Sequence, residues 1–266
     1  MPSRSHRRLA QSGAGLVAAL VIVGGQGHAI GAAPEYVALG DSYASGLGTR
    51  EYYIRSGTCL RSPHAYPVTS ATRLGADLTF RACSGATIDD VSGQLRALDA
   101  ATRYVSVQVG GNDAGFTRVI SECAKPAWMQ DCAGAVRSAR RFINRRLPEG
   151  LAGLYARIKR RSPSASVVAV GYPRLFHDED CNAGTWFSPA DRTLLNDTAD
   201  LLNSRISAQA TEAGFGFANP TRAFLGHAVC DTPEWVNGLS SPITESYHPN
   251  RAGQHGYARL VTRRLR

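Results

Sequence analysis

Short runs of β-branched and aromatic residues alternate along this chain with longer stretches of mixed apolar and polar character. Residues 36–39 form an apolar run that reads as a buried strand, stopped abruptly at Gly40-Asp41-Ser42. Comparable runs at 78–83, 104–109, 166–171 and 215–218 predict four more strands. Between them, residues 63–74, 88–98, 133–161, 190–213 and 250–265 carry helical patterning. In 190–213, Leu194, Leu195, Thr198, Leu201, Leu202 and Ile206 fall on one side, and Gly214 is placed to end the helix. Pro148-Glu149-Gly150 predicts a kink or break within 133–161. Strands alternating with helices predict an α/β domain whose parallel sheet is covered on both faces. The longest irregular stretches, around 48–62, 173–189 and 219–249, all contain cysteine.

Composition changes this picture at the start of the chain. The sequence has 266 residues, of which 43% are hydrophobic, enough for one sizeable core. Residues 1–33 should not belong to it. Arg4, Arg7 and Arg8 precede an apolar run at 16–23 and then glycine- and alanine-rich sequence, the layout of a secretory leader cleaved between 29 and 33. The apolar run is too short to span a bilayer well, so residues 34–266 are expected as a secreted domain with no stable membrane insertion, and as a monomer. The formal charge of +9 falls to +6 once the three arginines of that leader are set aside. The remaining arginines are scattered except at Arg137, Arg140, Arg141, Arg145 and Arg146. Aromatic residues do not alternate with them as a stacking platform needs, which argues against nucleic acid as a partner.

Six cysteines, Cys59, Cys83, Cys123, Cys132, Cys181 and Cys230, suit an exported chain with disulfides. Six allow fifteen pairings; joining sequence neighbours (Cys59–Cys83, Cys123–Cys132, Cys181–Cys230) is the simplest. No Cys-x-x-Cys pair or zinc-finger spacing occurs, and no metal or other cofactor is expected. The acidic run Asp178-Glu179-Asp180 lacks calcium-loop spacing and reads as a solvated loop.

Each early strand end presents polar chemistry. The first gives Ser42, the second leads into Ala82-Cys83-Ser84-Gly85, and the third ends in Gly110-Gly111-Asn112-Asp113. Ser246-Tyr247-His248-Pro249-Asn250 lies just before the last helix. Acyl transfer by serine needs a nucleophile, a base and donors for an oxyanion. Ser42 and His248 can supply the first two. The N–H groups of Ser42 and Gly85 and the amide of Asn112 can supply the donors. Gly-x-Ser-x-Gly is absent, since Ala44 stands at its last position, so the ordinary α/β-hydrolase elbow is not supported.

Together, Gly40-Asp41-Ser42, Gly85, Gly110-Gly111-Asn112-Asp113 and His248-Pro249-Asn250 resemble the blocks of the SGNH hydrolases, the GDSL esterases and lipases, in order and across most of the mature chain. The likeness is greatest to secreted bacterial lipases and esterases with three disulfides, which supports the neighbour pairing. It implies a three-layer α/β/α sandwich around a five-stranded parallel sheet, flavodoxin-like in architecture. It implies a serine ester hydrolase acting on an ester or lipid substrate, with Ser42 as nucleophile, His248 as base, and Ser42, Gly85 and Asn112 as the oxyanion hole. Phospholipids and acetylated sugars need the same machinery, and a non-catalytic binding protein on this fold is the alternative from another class. Three residues before His248, where the family often carries Asp, stands Glu245. It is the candidate third catalytic member. Its extra methylene favours instead a main-chain carbonyl of Glu245 or Ser246 as the group that holds the imidazole.

Overall fold

The first strand, β1 (Glu35–Gly40), is buried from Tyr36 to Leu39 on both of its faces. That burial is what an uninterrupted apolar run requires at the centre of a sheet. In the computed structural model, which describes Met1, residues 32–177 and residues 179–266, β1 is flanked by β2 (Asp77–Phe80) and β3 (Tyr104–Gln108). β4 (Ser166–Val170) and β5 (Gly216–Ala218) extend the sheet beyond β3, giving the order β2-β1-β3-β4-β5, with every pairing parallel. The expected leader falls almost wholly outside the described residues, as does Asp178 of the acidic run. Residues 33–266 form one compact unit.

Eight helices complete the described fold: α1 (Ser42–Ser45), α2 (Tyr66–Leu74), α3 (Ile88–Gln94), α4 (Phe116–Cys123), α5 (Cys132–Arg145), α6 (Leu147–Arg161), α7 (Pro189–Ala213) and α8 (Arg251–Leu265). α2 and α8 pack on each other along one side of the sheet. α3, α6 and α7 form the other layer with α5, and α4 lies against α5. This is the expected α/β/α sandwich. In α6, Leu147, Leu151, Leu154 and Ile158 recur at helical spacing and are fully buried.

The chain reverses direction across the sheet at β1, since β2 lies on one side of it and β3 on the other. Helices before and after this switch leave opposite faces, so a crevice opens beyond the carboxyl ends of β1 and β3. Gly40 ends β1 there with φ 145°, and a Cβ at that position would lie 2.4 Å from the Gln108 carbonyl oxygen of β3. Only glycine lets the two strand ends approach so closely.

Several boundaries differ from the sequence expectation, among them the end of the 88–98 helix, where α3 stops at Gln94. The 133–161 segment divides at Arg146 into α5 and α6, before Pro148 rather than at it. Proline lacks an N–H, and the first turn of a helix does not need one. For the same reason α2 starts at Tyr66 with Pro67 in its first turn, later than expected. β2 stops at Phe80, because the next residues turn towards β1: Cys83 N–H donates to the Gly40 carbonyl at 2.9 Å. α4 was not anticipated, although Phe116, Val119, Ile120 and Cys123 have the i, i+3, i+4, i+7 spacing of an amphipathic helix.

Candidate active site

Ser42 is the first residue of α1, immediately beyond β1. Asp41 caps this helix, its carboxylate accepting from Tyr43 N–H at 3.0 Å and from the Tyr172 hydroxyl at 2.5 Å. Burial pushes the Asp41 carboxyl up to about 7, against the lowering effect of those donors. Gln94 of α3 clamps the preceding residue, accepting from Gly40 N–H at 2.9 Å and donating to the Gly40 carbonyl at 3.0 Å. The serine is thus fixed by backbone and side-chain bonds that leave its own N–H without a protein acceptor among the described residues.

Gly85 and Asn112 follow β2 and β3. Gly85 has φ 80° and open space where a Cβ would stand, and its N–H also has no protein acceptor among the described residues. Asn112 uses one amide hydrogen to bond the Ala86 carbonyl at 3.0 Å, which orients the side chain and leaves its second hydrogen for a ligand. Ser42, Gly85, Asn112 and His248 all line one groove of about 510 Å³.

His248 reaches this groove from the loop before α8. Its Nε2 lies 2.8 Å from Ser42 Oγ, and its Nδ1 lies 2.9 Å from the Ser246 carbonyl oxygen. The carbonyl can only accept, so Nδ1 carries the proton and Nε2 is left as an acceptor for the serine hydroxyl. Tyr247 adopts a left-handed backbone (φ 59°), folding the Ser246 carbonyl back under the ring two residues later. Such a conformation costs about 1–2 kcal/mol for a residue with a side chain, and its surroundings hold it. Tyr43 donates its hydroxyl to the Tyr247 carbonyl at 2.7 Å, and the Tyr247 ring packs against Phe176 and Phe187. Asn237 exchanges backbone bonds with Tyr247 and His248 and donates its side-chain amide to the Gly48 carbonyl. Burial lowers the His248 pKa to about 4, and the Ser246 carbonyl only partly opposes this.

Glu245, the candidate third member, forms no hydrogen bond with the imidazole among the described residues. Its carboxylate accepts from the Tyr52 hydroxyl at 2.7 Å. The other oxygen stands 2.9 Å from Arg50 Nε, an ion pair without hydrogen-bond alignment. The physical reason is length: the extra methylene carries the charge away from the ring and into the 48–52 turn, where a phenol and a cation receive it. Glu245 is 2% exposed, so this arrangement anchors the loop that bears His248.

Leu47, Phe116, Ile120, Leu239, Ile243 and Tyr247 give the groove its apolar wall. Ile243 is 73% exposed at the rim. None of Trp128, Trp186 and Trp235 lines it. The other described histidines lie elsewhere: His64 pairs with Glu51, His177 with Asp231, His227 stacks on Trp235, and His255 is exposed on α8. The sulfurs join Cys59 to Cys83, Cys123 to Cys132 and Cys181 to Cys230. No cluster of three or more metal-ligating side chains occurs among the described residues, and no described helix is long and apolar enough to cross a membrane. The groove residues of α4 and the Tyr43, Tyr52 and Asn237 supports were not anticipated. The spacing of α4 was the one local signal; the others act through contacts distant in sequence.

Known proteins share this architecture. The model of the GDSL-like lipase/acylhydrolase family matches residues 38–255. Lipase 1 of Streptomyces coelicolor is 39% identical over 85% of this chain and 84% of its own. The solved structure of phospholipase A1 from Streptomyces albidoflavus superposes with a TM-score of 0.81 at 39% identity, covering 88% of this chain and all of that one. The solved extracellular lipase of Streptomyces rimosus gives the same TM-score at 36% identity, covering 87% and 99%.

Proposed function

This chain belongs to the GDSL-like lipase/acylhydrolase family and is a carboxylic ester hydrolase, and we propose that it works through an acyl-enzyme on Ser42 with His248 as its only side-chain partner. The observation that carries this reading is the 2.8 Å contact of Ser42 Oγ with His248 Nε2, with the Ser246 carbonyl on the opposite nitrogen. Ser42 Oγ attacks the ester carbonyl carbon while its proton passes to His248 Nε2. Negative charge moves to the former carbonyl oxygen, which accepts from Ser42 N–H, Gly85 N–H and the free Asn112 amide hydrogen. Collapse breaks the bond to the alcohol oxygen, which leaves with the proton from Nε2. Water then attacks the acyl-enzyme by the same route in reverse, releasing the carboxylic acid and restoring Ser42. The Ser246 carbonyl fixes the tautomer and steadies the transient imidazolium, the role an aspartate fills in the three-residue form.

The lowered pKa of His248 keeps the ring neutral, and therefore able to accept a proton, across the neutral range. The apolar wall from Phe116 to Ile243 suits the acyl chain of a lipid ester. Export to an oxidising compartment fits the three disulfides and the basic, apolar, small-residue order of the leader. Incubation with a p-nitrophenyl alkylphosphonate, followed by peptide mass mapping, tests the mechanism. The expected adduct sits on the peptide containing Ser42, with hydrolysis of p-nitrophenyl butyrate lost in step. An adduct on another residue, or inhibition without one, contradicts the reading.

A further inference from the structure

Beyond Gly85 the catalytic groove meets a second cleft of different character. Its volume is about 640 Å³, and Arg61, Arg81 and Arg96 line it. Ser84 and Gly85 belong to both cavities, so the cleft adjoins the region where an oxyanion would form. Arg81 and Arg96 are exposed, and Arg61 is partly buried. Here no carboxylate pairs with any of them among the described residues. Asp90, the one acid on the cleft wall, is engaged by the N–H and hydroxyl of Thr87 in the cap of α3. Arg61 is only half-exposed and its guanidinium makes one long bond, to the Ala82 carbonyl at 3.4 Å. Desolvation and the neighbouring charge of Arg81 lower its pKa. Arg96 keeps one contact, from Nε to the Gly93 carbonyl at 2.9 Å. The Cys59–Cys83 disulfide braces this wall, and both of its cysteines line the cleft.

The two cavities, which share Ser84 and Gly85, therefore present an apolar wall in one and unpaired guanidinium groups in the other. A substrate matching both has an acyl chain, an ester, and an anion a few bonds beyond the ester oxygen. Triacylglycerol lacks the anion, and glycerophospholipids carry it as a phosphodiester. Guanidinium forks match phosphate oxygens in geometry as well as charge. We propose that Arg61 and Arg81, with Arg96 at the edge, form a phosphate subsite that seats the headgroup of a glycerophospholipid while its acyl ester lies at Ser42. This rests on the acyl-enzyme reading above and narrows its substrate class.

The test compares two short-chain substrates kept below their critical micelle concentration, so that no charged surface can attract the enzyme. Dihexanoyl phosphatidylglycerol carries the phosphate, and dihexanoylglycerol does not. The readout is the ratio of kcat/KM for the first to that for the second. Loss of one hydrogen bond to a charged partner costs roughly tenfold or more in binding, so Arg61→Gln/Arg81→Gln should lower the ratio at least about tenfold. Arg81 is exposed, so Arg81→Gln alone will fold and should lower the ratio about threefold or more. Arg137→Gln, on α5 outside the cleft, should leave the ratio unchanged and so separates a subsite from general positive charge. Inorganic phosphate and sn-glycerol 3-phosphate, added as competitors, distinguish a site for any phosphate from one that needs the glycerol link. Stronger inhibition by the glycerol ester supports the headgroup assignment, and equal inhibition by both overturns it. A ratio that stays within twofold of wild type in the cleft variants also overturns it, and so does an equal fall in Arg137→Gln. Turnover of dihexanoylglycerol alongside an unchanged ratio would leave the acyl-enzyme reading standing and remove only the subsite.

Discussion

Ser42, Gly85 and Asn112 stand within five residues of a strand end, whereas His248 comes from a long loop after β5. The sheet itself positions the first group. Parallel register sets Gly40 beside Gln108, and Gln94 and Cys83 lock the Gly40 backbone. The base has no such support and depends on a polar scaffold instead. Tyr43, Asn237 and the Tyr52–Glu245–Arg50 group each tie the loop to another part of the molecule. The difference shows how a fold can supply donors and a nucleophile with few residues, while the base needs many. It also explains why an acidic residue near the proposed base, His248, can serve the loop rather than the ring.

Removing the atoms where the two regions meet should have the largest effect. Ser42→Ala and His248→Ala should each lower kcat by about 10⁴-fold or more, with circular dichroism unchanged. Activity near wild type in either folded variant would dissolve the pairing. On the strand side alone, Asn112→Ala should lower kcat by about 10²–10³ with KM little changed, the loss typical of one oxyanion donor. A change confined to KM would make Asn112 a substrate-binding residue instead.

The two regions were unequally legible in the sequence. Gly40-Asp41-Ser42 and Gly110-Gly111-Asn112 follow apolar runs whose period identifies the strands, so the end of each run marks the site. His248 could be placed through the His-Pro-Asn block before α8, and the length of Glu245 pointed to a main-chain carbonyl as the group that holds it, but nothing local indicated what supports that loop. Tyr43 reaches Tyr247 across 204 residues of sequence, and Tyr52 reaches Glu245 across 193. Contacts of that range leave no periodic trace. Glu245 is the instructive case: its position suggests a triad, and its length, with a phenol and a guanidinium nearby, turns it elsewhere.

The disulfides offer a smaller test of the contrast. Cys59–Cys83 braces the strand side and closes 24 residues, while Cys181–Cys230 ties the loops of the base side and closes 49. In the chain-entropy picture doubling a loop adds only about 0.6 kcal/mol. Replacing either pair by serine should therefore cost a similar 2–4 kcal/mol or so of stability by denaturant titration. Activity measured well below the midpoint should fall more in the Cys181/Cys230 variant, because His248 depends on the loops it joins. Equal loss of activity in both would mean that the base is as firmly held as the nucleophile.

Proton linkage also separates the regions. His248 stays neutral in the folded chain down to about pH 4, so kcat/KM should climb through about pH 4 and be level near neutrality. An unfolded histidine takes up its proton near pH 6.5. Between those values the unfolded chain binds more protons at this site, so acidification removes stability. Asp41 acts in the opposite sense. Its folded pKa of about 7 is above the unfolded value, so its contribution is fully present at low pH and is lost as pH rises through 7. The two slopes oppose each other from about pH 4 to 6.5. Asp41→Asn removes one of them, and its Tm should fall more steeply on acidification across that window than that of the wild type. Parallel curves would remove the linkage argument for Asp41.

The most direct test of the account is Glu245→Gln, read as kcat/KM on p-nitrophenyl butyrate. The variant keeps an acceptor for Tyr52 and removes the negative charge. If the Ser246 carbonyl is what holds His248 Nδ1, activity should fall by less than about tenfold, a barrier change under about 1.4 kcal/mol. A loss close to that of His248→Ala, in a protein that remains folded, would make the carboxylate the true partner of the imidazole and contradict the account.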